Sequence, residues 1–320
     1  MNCADPGIEW LLRSSHATVR WLTLTEVLDR PTGDADVRAA RAQILEDPWV
    51  SDLLVGQEQN GGFRVHPYQK WTGAHWRLVS LVELGVPADE PSLKKAANQV
   101  LDWLTSKAHR SKIQHINGLT RRCASQEGNA LAVCSRLGLS DDPRVRYLAA
   151  SLIEWQWPDG GWNCDKNPGA GHSSFYESLA PLWGLIEYSR ATRDQPCLQA
   201  AKSTAEFFLR HDLFRSETGG EVIDPEWLKL HYPLYWHYDI LQALLILSRL
   251  GPLEDARQQA ALDVIEQKRL PDGAWKPEGY FWYPPGKRSS NVEVVNWGRK
   301  DPNLMITLNA LRVLKSAGRL

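Results

Sequence analysis

The sequence predicts an all-α fold, an α/α toroid of about six helical hairpins set as an inner and an outer ring. Three observations carry this reading. A short element recurs as Gln57-x-x-x-Gly61-x-Phe63, Gln156-x-x-x-Gly160-x-Trp162 and Arg269-x-x-x-Gly273-x-Trp275: a side chain able to reach back to backbone, a glycine turn, then a large aromatic. The glycines of these copies lie 99 and 113 positions apart, near twice a fifty-residue unit. Leu84-Gly85, Leu137-Gly138 and Leu250-Gly251 recur at 53 and 113 positions, each closing an apolar run with the residue that favours a left-handed cap. Finally, apolar residues follow a helical period along the chain, with no convincing alternating strand.

In chain order, the helical segments fall near 15–30, 36–56, 71–85, 90–108, 124–138, 142–157, 172–191, 196–213, 234–250, 254–269 and 302–318. Those beginning near His16, Trp71, Ala124, Ser173, Leu234 and Asn303 form the more apolar set of six. The segments between them are richer in Lys, Arg, Gln and Glu. A closed double ring demands this alternation, because inner helices are covered by protein nearly all round while outer ones show one face to water. Segments 71–85 and 124–138 end at Gly85 and Gly138. Gly118 and Gly219-Gly220, both in stretches of non-helical composition, mark two degenerate repeat units. In 172–191, Phe175, Leu179, Leu182 and Ile186 make an apolar face. In 234–250 an apolar run through Ile240, Leu241, Leu244 and Leu245 ends at Gly251. Segment 254–269 delivers Arg269, and after a long connection over 276–300 the segment 302–318 completes the ring.

The whole of 1–320 is expected as one toroid domain, since a closed repeat ring can reach this length and no Pro- or Ser-rich linker divides it. Basic and acidic residues nearly cancel, 37 against 38, and no basic stripe with interleaved aromatics is present, which argues against nucleic acid as a partner. No signal segment or bilayer-spanning apolar run is recognisable. Five scattered cysteines, an odd number, suit reduced thiols in a cytoplasmic protein. Fifteen tryptophans are the compositional outlier; they serve packing at repeat junctions or an aromatic-walled cavity.

The Gln-x-x-x-Gly-x-Trp elements resemble the repeat motif of squalene/terpene cyclases and of protein prenyltransferase β subunits, over essentially the whole chain. Small bacterial single-toroid proteins of that superfamily are the nearest in kind, with runs similar to Trp71-Thr72-Gly73-Ala74-His75-Trp76, Arg122-Cys123-Ala124-Ser125-Gln126-Glu127-Gly128-Asn129, Trp162-Asn163-Cys164-Asp165, His172-Ser173-Ser174-Phe175 and His237-Tyr238-Asp239. The resemblance implies the toroid fold. Two departures separate this chain from the characterised branches. The nearest string to the cyclases' Asp-x-Asp-Asp proton donor is Asp34-Ala35-Asp36-Val37, which lacks the last acid. Aligned on the serine-aromatic-aromatic stretch of the prenyltransferases, His172 stands where their zinc-binding cysteine falls and Ala170 where their aspartate falls.

The residues themselves offer two chemistries. Inner-helix starts converge at one end of a toroid, so polar groups in their first turns are the ones able to share a cavity. Ser173, Tyr176 and Glu177 form one polar patch; Tyr235, Asp239 and Gln242 line up at i, i+4 and i+7 on an otherwise apolar helix; Ser125 with Asn129, and Asn303 with Thr307, make similar stripes. His75 follows four residues after Trp71, beside Trp76. Either Glu177 and Asp239 face a common cavity as acid and base, with His75, His172 or His237 assisting, or each carboxylate caps its own helix. Tyr176 and Tyr235 join the catalytic set, and Trp71, Trp76, Ser125, Asn129, Ser173, Gln242, Asn303 and Thr307 the substrate-binding set. The second chemistry is zinc, with Cys164, Asp165, His172 and His237 near inner-helix entries and three of them able to reach a tetrahedral ion.

The expected function is therefore an enzyme acting in the toroid cavity on a small hydrophobic, isoprenoid-like substrate by isomerisation, elimination or cyclisation. One alternative is a carbohydrate-active toroid such as a polysaccharide lyase. The other is a non-catalytic ring that binds a partner subunit or a second copy of itself.

Overall fold

The computed structural model describes residues 5–320. Its helices are α1 (Pro6–Leu12), α2 (Ala17–Leu22, continued by a π-turn at Thr23–Val27), α3 (Ala35–Ala42), α4 (Pro48–Leu54), α5 (Ala74–Glu83), α6 (Pro91–Thr105), α7 (Lys107–Arg110), α8 (Ser125–Arg136), α9 (Pro143–Trp155), α10 (Phe175–Thr192), α11 (Gln195–Arg210), α12 (Ile240–Leu247), α13 (Gln259–Gln267) and α14 (Leu304–Ser316). Burial separates two sets. In α8, every residue from Gly128 to Ser135 is buried, and in α12 every residue but Gln242. In α6 only Leu93, Ala96, Ala97, Val100, Leu101 and Leu104 are, a single stripe of helical period.

The buried set closes on itself. Helix α5 packs on α8, α8 on α10, α10 on α12, α12 on α14, and α14 on α2. The remaining join, α2 to α5, is made where the Trp21 ring lies against Gly85 and Arg41 of α3 donates to the Gly85 carbonyl. Outside this ring lie α3 with α4, then α6, α9, α11 and α13. The sixth outer helix is α1, supplied by the opposite end of the chain and packed on α14. The expected all-α toroid is thus the observed architecture.

Outer helices share a start signal. Asp5-Pro6, Asp47-Pro48, Glu90-Pro91, Asp142-Pro143 and Asp194-Gln195-Pro196 each place an acid at the N-cap, accepting from amides of the first turn, and a proline where no N–H is needed.

The recurring element has a specific task. Gln156 Nε2 donates to Gly160 O and to Ala200 O of α11, both at 2.9 Å, while Trp162 Nε1 donates to Leu152 O at 3.0 Å. In the first copy Gln57 bonds Gly61 O and Ser92 O of α6 in the same way. Each copy staples a turn to the next outer helix. In the third the next outer helix is α1, and Arg269 replaces glutamine, reaching Gly273 O and pairing with Asp5.

Three local expectations are corrected. Gly118 lies not at a degenerate helical junction but in a hairpin, Gln114–Ile116 paired antiparallel with Leu119–Arg121, whose two turn residues Asn117 and Gly118 both have positive φ. Helix α5 starts at Ala74, three residues later than predicted. Helix α12 starts at Ile240 rather than 234, because Pro233 and a left-handed Tyr235, φ 58°, hold the preceding segment out of a helix.

The tightest crossing is α8 against α10. A Cβ on Gly128 would sit 2.3 Å from Pro181 N and 2.4 Å from Ala180 C, both backbone atoms, and one on Gly184 would sit 2.5 Å from Gly128 O. Gly128→Ala sets a gain in helix propensity of about 1 kcal/mol against overpacking of about 1–3 kcal/mol, and backbone on both sides leaves little room to relax. The expected result is net destabilisation of about 1–2 kcal/mol in urea unfolding; an unchanged or raised midpoint would contradict the close crossing.

Candidate functional site

Side chains from inner helices enclose a narrow space on the toroid axis. Its upper part is walled by Val79, Ser80 and Glu83 of α5, Asn129 of α8, Tyr176, Leu179, Ala180 and Trp183 of α10, the segment Pro233–His237, and Gln242 and Ile246 of α12. Below it, sharing Glu83, Trp183, Gln242 and Ile246, a second space is lined by Glu26, Arg136, Arg249, Met305, Asn309 and Arg312, so that all six inner helices contribute. Each part has free room of about 20 Å³, no more than a water or two.

The charges at the floor obey a rule. At or just past its C-terminal end each inner helix contributes a largely covered ionisable residue to this region: Glu26, Glu83, Arg136, Glu187, Arg249 and Arg312 in chain order. Arg249 Nη1 lies 2.9 Å from Glu187 Oε1, Arg136 Nη1 lies 3.8 Å from the same oxygen, and Arg312 pairs with Glu26. Glu83 has no such ion pair among the described residues. The Tyr232 hydroxyl donates to Glu83 Oε2 and Gln242 Nε2 to Oε1, each at the long distance of 3.4 Å. Its carboxyl faces the cavity but is enclosed by the ring, and this desolvation, only partly offset by Arg312 and Arg249, pushes it up to about 7. Sequence reasoning missed Glu83. The available signal was an acid ending the apolar run Leu78–Val82 on an inner helix.

Two buried polar atoms at the upper wall have no hydrogen-bond partner among the described residues: Asn129 Nδ2 and the Tyr235 hydroxyl. Buried polar groups are normally paired, so both are free to serve a bound molecule. Over this wall lies the 276–300 connection. Phe281 stacks on His237 with ring centroids 3.5 Å apart, and its carbonyl accepts from Trp71 Nε1 at 2.9 Å. Trp71 in turn stacks on Tyr235 at 3.7 Å and meets Trp76 edge-on. Burial holds His237 neutral, down to about 4.

The other sequence-predicted residues are spread apart. Asp239 is the N-cap of α12, accepting from the Gln242 amide at 2.8 Å and the His231 amide at 3.1 Å, so the predicted stripe with Tyr235 does not form. Ser173 bonds Asp159. Asn303 caps α14, and the Thr307 hydroxyl accepts from the Trp275 amide. The Ser125 amide donates to Glu177 Oε2 at 3.0 Å. Asp239, Glu177, Asn303 and Thr307 thus accept from backbone amides, the same need that places polar residues at any buried helix start. His75 is fully buried against Trp76 and Tyr68, and desolvation takes it down to about 3. Tyr176 lies on the cavity wall, its hydroxyl accepting from Trp227 Nε1 at 3.0 Å.

The predicted zinc set does not assemble. Asp165 and His172 lie on an exposed turn, where the Asp165 carboxylate accepts from the Asn167 amide, and His237 is stacked at the cavity mouth. Cys164 instead meets Cys123 and Glu177. The hydrogen bond between the two thiols, together with burial, pushes Cys123 far up, while the same bond lowers Cys164; burial raises Glu177. Beside them Arg122 donates twice to Glu127, at 2.5 and 3.0 Å, yet desolvation still takes that carboxyl up to about 7.

No protein-family model matches the chain. No curated protein matches it. Among solved structures it is similar to the type II terpene cyclase MstE from Scytonema, in the apo form, with 15% sequence identity and a TM-score of 0.42 over 95% of this chain and 88% of that one. No helix among the described residues is long and apolar enough to cross a membrane.

Glu83 should leave a signature in stability. Its carboxyl rises from an ordinary 4.5 to about 7 on folding, so the folded state binds the proton more tightly. That contribution is fully present below about pH 4.5 and is lost as pH rises to about 7. The unfolding free energy of Glu83→Gln relative to wild type should therefore grow by about 2–3 kcal/mol between pH 4.5 and pH 8. A difference that does not change with pH would contradict the assignment.

Proposed function

We propose that the chain is an enzyme working in the axial cavity on a small hydrophobic, isoprenoid-like molecule bearing one oxygen function, and that Glu83 moves the proton. The observation that carries this reading is a single carboxyl poised near neutrality beneath an aromatic and apolar wall. Such a group is partly protonated at pH 7 and can act as acid or base without a partner of matched pKa. As acid it gives its proton to an alkene carbon, and the resulting carboxylate takes one back from a neighbouring carbon. The sum is isomerisation or cyclisation, with no co-reactant. Positive charge developing on carbon would face Trp183, Tyr176 and Tyr235, whose rings attract cations. Asn129 Nδ2 and the Tyr235 hydroxyl, both unpartnered, would hold the oxygen function. Gln242 and Tyr232 would keep the carboxyl oriented, and His237 with Phe281 would cover the entrance.

A cavity of about 20 Å³ admits no isoprenoid as it stands, so binding requires the Pro233–His237 segment and Phe281 to move aside. The same tightness supports a second reading, a non-catalytic ring that presents its outside to a partner. A sugar-cleaving toroid is less well supported, since it calls for a wet groove with several carboxylates and the upper cavity wall offers one.

Incubation with a panel of olefinic isoprenoid alcohols and ketones, read by gas chromatography with mass spectrometry, tests the reading. Wild-type turnover should follow a pH profile with an inflection near 7, and Glu83→Gln should lose about 10²-fold or more while keeping its helical circular dichroism. Equal turnover in Glu83→Gln would refute the role of Glu83. Absence of both turnover and ligand binding would favour the partner-binding ring.

A further inference from the structure

We propose that Cys123, Cys164 and Glu177 together bind one zinc ion, a site apart from the axial carboxyl and independent of the acid/base reading. Their ligand atoms all lie within 4.8 Å of one another, and no other group of three His, Cys, Asp or Glu among the described residues meets that condition. They come from three separate segments that the fold clamps together. The end of the hairpin bridges the loop after Trp162 as a parallel pair, Arg121 with Asn163, and the Arg122 amide donates to Asn163 O at 3.1 Å. This sets Cys123 and Cys164 side by side, just beyond the bridge. The same loop is pinned to the start of α10, where the Ser178 hydroxyl accepts from the Trp162 amide at 3.0 Å and the Ser174 amide donates to Trp162 O at 2.8 Å. Glu177 stands in the first turn of that helix.

The separation fits the ion. Tetrahedral zinc, with arms of about 2.3 Å to sulfur and about 2.0 Å to oxygen, places those two atoms about 3.5 Å apart. Cys164 Sγ and Glu177 Oε1 are 3.6 Å apart. The second carboxylate oxygen is already held by the Ser125 amide at 3.0 Å, the kind of outer hydrogen bond that orients a metal ligand. Two thiols with one carboxylate select zinc over magnesium or calcium, whose preferred ligands are all oxygen. Three protein ligands leave one position open, and both thiols are only half-buried, so water or a small ligand has access.

The test uses the full chain purified under reducing conditions, loaded with zinc and dialysed, with metal content read by elemental analysis. The expected result is about one zinc per chain, less than a tenth of that in the double variant Cys123→Ser/Cys164→Ser, and an intermediate loss in Glu177→Gln. Cobalt substitution should give a thiolate-to-cobalt charge-transfer band that falls by about half in either single serine variant. Circular dichroism should show all variants folded. Sub-stoichiometric zinc in the wild-type chain, or zinc retained equally by the double variant, would overturn the site. If the double variant fails to fold, the band in the two single variants decides: an undiminished band in both overturns the site, and a halved band in each supports it.

Discussion

Everything in this molecule depends on how six nearly fully buried helices dispose of the charge at their ends. Each inner helix ends in or near an ionisable side chain that the ring covers wholly or in large part. Three acids face three arginines across the axis, and burial of unpaired charge is costly, so they must serve one another. Arg312 takes Glu26; Arg249 and Arg136 both take Glu187. The arithmetic leaves Glu83 without a close guanidinium. It is held by two long hydrogen bonds, and the cheapest remedy for a lone enclosed carboxylate is a proton. The chemistry proposed for the cavity follows from that imbalance.

A second constraint is closure. Hairpins joined head to tail still need the first to meet the last, and here the seam is made by exchanging an element between the chain's ends. Helix α1 occupies the outer place beside α14, Gly7 lies against Gly273, and Arg269 reaches Asp5. The glutamine used inside the ring finds carbonyls; at the seam the partner includes a carboxylate, and arginine is the residue that can serve it while still reaching its own turn.

The helices and the two-ring alternation were legible because they are set by local physics, apolar spacing and the glycines that end helices. Much of the candidate site was not. Glu177, Asn303, Thr307 and Asp239 carry the same residue types whether they serve a ligand or an orphan amide, and only tertiary geometry separates the two. The apolar run after Leu234 reads as helical through Tyr235 and Asp239, but Pro233 and the left-handed Tyr235 delay the helix to Ile240. Asn129, Tyr176, Tyr235, Gln242 and His237 line the upper cavity together with Glu83, yet sequence alone does not single out Glu83, because an acid at the end of an apolar helix reads as ordinary. Cys123 could not be joined to Cys164 from sequence, since the bridge that aligns them links positions 121 and 163.

The central claim is that one carboxyl inside the ring changes protonation near neutrality. Infrared difference spectra recorded from pH 5 to pH 9, comparing wild type with Glu83→Gln, measure this directly through the carbonyl stretch of the protonated acid. The account predicts that the wild-type band contains a component with a midpoint near 7 that the variant lacks, over the contribution of Glu127 that both share. A Glu83 signal that titrates in the ordinary carboxylate range, near 4.5, would contradict it.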